Sequence, residues 1–150
     1  MTRRADGSVE DDVRALLVLM PRIVARAKRR RAPAELAEFD LTPRHLSLFA
    51  VLLDAPLTVN QLADTLDLAP TTVSLMIGEL SRKGLLRREE DPDDRRRRVV
   101  SIPEEYREAI DVWLGDSASA WHHVLDSLSV AERSIVVRAL TDYERRLRED

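Results

Sequence analysis

The stretch LTPRHLSLFAVLLDAPLTVNQLADTLDLAPTTVSLMIGELSRKGLLRREEDPDDRRRRVVSI, Leu41 to Ile102, holds a run of short segments whose order sets the architecture. Thr42 can cap a helix and Pro43 suits a first helical position, so a helix begins there, with Leu46, Phe49, Ala50 and Leu53 expected on one face. Asp54, Ala55 and Pro56 stop it. In TVNQLADTL, Thr58 and Gln61 stand at capping-box spacing, and Leu62, Ala63 and Leu66 form an apolar edge. A helix of about two turns is marginal by itself, so packing must hold it. A turn at Asp67 to Ala69 leads into a helix begun by Pro70 and ended by Gly84, with Val73, Met76, Ile77 and Leu80 turned inward. LLRREE and RRVVSI then read as two strands enclosing DPDD, a good turn sequence. With Asp91 to Asp94 as the tip and Arg95 to Arg98 entering a strand, alternation puts Arg95 and Arg97 on one face and Arg96 and Arg98 on the other.

Outward from this segment the pattern is helical on both sides. Ser8 and the acids at 10, 11 and 12 open a helix carrying Val13, Leu16, Leu17, Met20, Ile23, Val24 and Ala27 at helical spacing. Pro21 inside it is expected to kink or divide it. After the hairpin, Pro103, Glu104 and Glu105 start a long helix to about Ser127, whose apolar positions are Ile110, Trp113, Leu114, Trp121, Val124 and Leu125. Ser129 and Glu132 form a second capping-box pair, opening a last helix with Ile135, Val136, Ala139, Leu140, Tyr143 and Leu147 on one side.

Composition narrows the function. With 150 residues, 44% hydrophobic, 34% charged and only four glycines, the chain reads as a single helical, charge-covered domain. It has no cysteine, which excludes disulfides, thiolate zinc sites and thiol redox sensing. MTRRADGSVEDD lacks the apolar core of a secretory signal and no uncharged apolar run approaches membrane-spanning length, so a cytoplasmic protein without membrane contact is expected. No nucleophile motif, phosphate-binding glycine loop or carboxylate cluster stands out, which argues against an enzyme. His45, His122 and His123 are the only histidines; adjacent ones on a helix point about 100° apart, so no metal and no cofactor are expected. The formal net charge of -3 conceals an asymmetry: Arg82 to Arg98 holds eight basic and five acidic residues, a local +3 that leaves -6 for the remainder.

Two short helices joined by a tight turn, followed by a hairpin with a basic edge, have the order of a winged helix-turn-helix. A B-DNA major groove admits one helix, and a ribbon beside it reaches backbone or minor groove. With the inner stripe buried, the Pro70 to Lys83 helix exposes Thr71, Thr72, Ser74, Leu75, Gly78 and Arg82. Through LTP at the second helix, PTTVS, the KGLL exit and the D-x-R of Asp94 and Arg96, in that order and spacing, the chain resembles the MarR family of bacterial transcriptional regulators. The flanking helices extend the likeness to nearly the whole chain. The resemblance implies a mainly α fold over 1–150, in which a winged helix-turn-helix lobe at 41–102 is flanked by dimerisation helices at 8–31 and 103–148. It also implies a homodimer, commonly a repressor, that binds a pseudo-palindromic operator in double-stranded DNA and is often released by a small aromatic or anionic effector.

The same resemblance assigns roles. Thr71, Thr72, Ser74, Leu75 and Arg82 are expected to meet DNA from the recognition helix, Arg95, Arg96, Arg97 and Arg98 from the wing, and Asp94 braces Arg96. His45 reads as a capping or packing residue and Trp113 as core or dimer interface; alternatively these two, with Phe49, line an effector pocket. Three positions depart from the family. Leu75 stands where an arginine is common and can touch a thymine methyl but not bind guanine; Gly78 replaces a commonly charged residue; Ala69 lacks the usual hydroxyl cap. Leu75 and the acidic whole-chain charge favour an alternative, a winged helix retained for protein contacts. The arginine wing opposes it.

Overall fold

A computed structural model describes residues 7–149. The first six residues and the last of the expected 1–150 domain, with the opening half of MTRRADGSVEDD, lie outside them. The elements are α1 (Val9–Arg29), a 3-10 helix (Ala34–Phe39), α2 (Pro43–Leu52), α3 (Val59–Leu66), α4 (Pro70–Arg82), β1 (Arg87–Glu90), β2 (Arg98–Ser101), α5 (Glu104–Asp126) and α6 (Val130–Glu149). None of these helices is long and apolar enough to cross a membrane.

Local chemistry accounts for the boundaries. The Ser8 hydroxyl accepts the Asp11 N–H at 3.3 Å and starts α1. At α3 the box closes both ways, Gln61 N–H to Thr58 Oγ1 at 3.2 Å and Thr58 N–H to Gln61 Oε1 at 2.9 Å. Asp67 ends α3 in the left-handed region, φ 52°, with the Leu68 N–H on the Ala63 carbonyl at 3.0 Å. Gly84, φ 82°, turns the chain out of α4. At α6, Ser129 N–H and hydroxyl hold the Glu132 carboxyl below its usual range, the backbone bond being the larger cause.

Packing divides the chain inside α5, between Leu114 and Gly115. In the first unit a core forms beneath the helix-turn-helix from Leu36, Leu48, Phe49, Leu52, Leu62, Ile77, Leu80, Leu85, Val100 and Ile110, all 0 or 1% exposed. Each such aliphatic side chain contributes about 1.5–3 kcal/mol when fully buried. β1 and β2 pair antiparallel with Glu90 opposite Arg98 and Arg87 opposite Ser101. Leu57 adds a bridge on the far edge of β2, exchanging both backbone hydrogen bonds with Val100 at 3.2 and 2.7 Å. That ties the entry to α3 to the root of the wing. In the second unit, the rest of α5 and α6 are joined through the Ser129 cap.

One expectation about helices is narrowed and another corrected. Of the two alternatives for Pro21, a kink or a division, division is excluded: α1 runs unbroken past it, the proline giving up its own N–H bond. The inner face of α2 is His45, Leu48, Phe49 and Leu52, while Ala50 is exposed and Leu46 and Leu53 are half-buried. Six of the seven residues from Leu46 to Leu52 are apolar, so periodicity there cannot choose a face.

Candidate nucleic-acid interface

Helix α4 is held from below by Val73, Met76, Ile77 and Leu80, the four residues expected to face inward. At about 100° per residue the opposite stripe is Thr71, Leu75, Gly78 and Arg82, spaced i, i+4, i+7 and i+11. Thr71, Leu75 and Arg82 are exposed and Gly78 half-buried; Thr72 and Ser74 are half-buried at the margins of the stripe. Ala69 supplies no side-chain cap, so the first turn of α4 begins on backbone geometry and Pro70 alone. At the other end Lys83 Nζ donates to the Phe39 carbonyl at 3.1 Å and lies 3.7 Å from Glu79 and 3.9 Å from Asp40. This tether fixes the end of α4 against the 3-10 helix, and the sequence reading did not anticipate it.

The charged run is built differently from the expected strand. Only Arg98 lies in β2, and Arg95, Arg96 and Arg97 belong to the tip. The alternating two-face arrangement therefore does not form. Three local bonds explain why: the Asp94 carbonyl accepts the Arg97 N–H at 2.9 Å, the Asp94 carboxylate accepts the Arg96 backbone N–H at 3.0 Å, and the Asp91 carboxylate accepts the Asp93 N–H at 2.9 Å. Two successive Asx turns outcompete strand pairing at these residues. The Asp91 N–H closes the tip on the Arg97 carbonyl at 2.9 Å.

Asp94 thus touches Arg96 through the main chain. The carboxylate that meets a wing guanidinium is Asp91, 3.8 Å from Arg97 Nε, with its side chain only 15% exposed. Asp91 turns inward because it serves Asp93 and Arg97 at once. The D-P-D-D spacing carried that signal. Arg95, Arg96, Arg97 and Arg98 all remain exposed, a cationic tip with the half-buried Asp91 turned under it.

His45 sits under α2 as the third residue of its cap. Its Nδ1 accepts the Thr42 backbone N–H at 3.0 Å, so that nitrogen carries no proton in this arrangement. Burial pushes its pKa down from 6.5, opposed by Glu79 and reinforced by Lys83. Phe49 and Trp113 meet edge to face with centroids 6.2 Å apart, both inside the core. Arg107 donates to the Leu53 carbonyl at 2.9 Å, satisfying the C-terminal end of α2 from α5. Among the described residues no group of histidines and carboxylates is arranged to hold a metal ion.

Residues 39–97 match the model of the MarR family. Over 91 residues the chain is 30% identical to the HTH-type transcriptional regulator YhbI of Bacillus subtilis strain 168, named as uncharacterized, a match covering 60% of this chain and 59% of that protein. Among solved structures, the adhesin competence repressor AdcR of Streptococcus pyogenes aligns at TM-score 0.68 with 20% identity, covering 94% of this chain and 98% of that one. The S. aureus MepR–DNA complex aligns at TM-score 0.62 with 24% identity, covering 86% and 96%. These structural likenesses establish the winged-helix fold.

Proposed function

We propose that the chain, whose residues 39–97 match the model of the MarR family, is a cytoplasmic, non-enzymatic transcriptional regulator, a homodimeric repressor of a pseudo-palindromic operator. One observation carries the reading. The outward stripe of α4 and the exposed arginine tip stand on consecutive elements of one winged helix, the pairing that a major groove and its flanking phosphates require. Thr71, Thr72, Ser74, Leu75 and Arg82 would meet base edges and nearby backbone. Arg95 to Arg98 would supply the sequence-independent attraction, and the inward turn of Asp91 removes one repulsive charge from that surface.

Exposed apolar faces support the dimer. On one stripe of α1, Val13, Leu16, Leu17, Ile23 and Val24 are 41 to 63% exposed, and on one side of α6 Ile135, Leu140, Tyr143 and Leu147 are 39 to 60% exposed. Faces of this kind are left open by soluble chains mainly where a partner covers them, and a second copy of the chain offers matching ones. An effector held near His45, Phe49 and Trp113 would act by altering the separation of the two α4 helices, since half-sites must follow the roughly 10 bp repeat of the duplex.

Selection of bound sequences from random duplexes tests the proposal. It predicts enrichment of an inverted repeat whose half-sites stand about one helical turn apart. No enrichment over the input pool would favour the protein-binding module.

A further inference from the structure

We propose that Leu75 reads the 5-methyl group of a thymine in each half-site, and that Gly78 leaves the space in which that base pair approaches α4. The proposal rests on the DNA-binding reading and adds the chemistry by which bases are told apart. Leu75 is 75% exposed, the most exposed large hydrophobic among the described residues. Every other strongly exposed one lies at or before Val24 or at or after Val112, on α1, α5 and α6, where such residues come in groups. Leu75 stands alone on the winged helix, with Thr71 one turn before it and Gly78 and Glu79 one turn after. A lone apolar side chain makes a poor protein-docking patch, which needs contiguous area. Set into a major groove, a side chain with no donor or acceptor finds one group of its own chemistry on a base edge, the C5-methyl.

Gly78 supplies the second observation. A Cβ built there meets nothing within 4 Å, and its backbone is helical rather than left-handed. The fold therefore does not ask for glycine, and in a helix interior alanine would be favoured. It lies on the same stripe as Leu75, where a missing Cβ lets a partner surface come close. Glu79, the adjacent acid, is engaged by Lys83 at 3.7 Å, and Arg82 puts a positive charge on the stripe itself. The surroundings suit a polyanion, and the centre suits a methyl.

The test replaces each thymine of a selected duplex in turn by uracil, which deletes the methyl and keeps every hydrogen-bonding group, with affinity read by fluorescence anisotropy. At one thymine per half-site the wild-type protein should bind about fourfold more weakly, and about fifteenfold with both half-sites changed. Leu75→Ala should be indifferent to the same replacement. Gly78→Ala should keep or raise the urea midpoint yet bind that duplex less well. A scan that is flat for the wild type, or that costs Leu75→Ala the same factor, overturns the proposal while leaving DNA binding intact. Absence of any bound duplex overturns the underlying reading and this one with it.

Discussion

Asp91 gives the sharpest structural prediction, because its carboxylate has two separable jobs in the wing tip. It accepts the Asp93 N–H at 2.9 Å and lies 3.8 Å from Arg97 Nε. The hydrogen bond is worth about 1 kcal/mol net. The ion pair is long, and the Arg97 side chain is 48% exposed, so solvent screening reduces it to below about 0.5 kcal/mol. Asp91→Ala removes both and should destabilise the closed tip by roughly 1–1.5 kcal/mol. Asp91→Asn keeps an oxygen acceptor and loses only the charge, costing about 0.5 kcal/mol or less. The tip can open without the core, so the readout is local: exchange of the Arg97 amide, which is bonded to the Asp94 carbonyl. It should quicken roughly tenfold in Asp91→Ala and about twofold in Asp91→Asn, with the global urea midpoint nearly constant. Equal acceleration in both variants would show that charge, not the turn, holds the wing, and the argument from Asx geometry would fail.

Other consequences follow from the caps and the open faces. Thr58→Ala removes one half of the α3 capping box and should cost about 1 kcal/mol by urea denaturation. His45 is held below its usual pKa by burial, so above about pH 6.5 both folded and unfolded chains are neutral there. As pH falls through that value the unfolded chain takes up the proton first, and stability declines until the folded histidine titrates. The urea midpoint should therefore drop further between about pH 8 and pH 5 in the wild type than in His45→Gln, whose amide can still accept the Thr42 N–H; parallel curves would contradict this. In the proposed dimer, Leu17→Glu or Ile135→Glu should shift sedimentation from dimer to monomer at micromolar concentration without loss of helix signal.

The helix-turn-helix was legible because its signals are local. Thr58 with Gln61, Pro70, Gly84 and the stripe from Val73 to Leu80 each state a boundary or a face without knowledge of the rest of the fold. The face of α2 was not legible, since an almost continuous apolar run leaves the choice to tertiary packing. The 3-10 helix at Ala34–Phe39 had no cap signal of its own and exists by burying Leu36 and Phe39. In the wing, reading Arg95 to Arg98 as strand gave propensity precedence over turn chemistry, although the aspartates that win the competition were in plain view. The Lys83 tether spans 44 residues to Phe39, and no local pattern announces such a contact.

In the proposed complex the arginine tip binds the phosphates of duplex DNA while α4 reads its bases. Affinity for a selected duplex, measured against salt concentration for the wild type and for Arg95→Ala, Arg96→Ala and Arg97→Ala, tests it most directly. A steep negative slope of log affinity against log salt is expected, flattening by about 0.9 for each phosphate contact removed. A shallow wild-type slope, or one that all three substitutions leave unchanged, would contradict it.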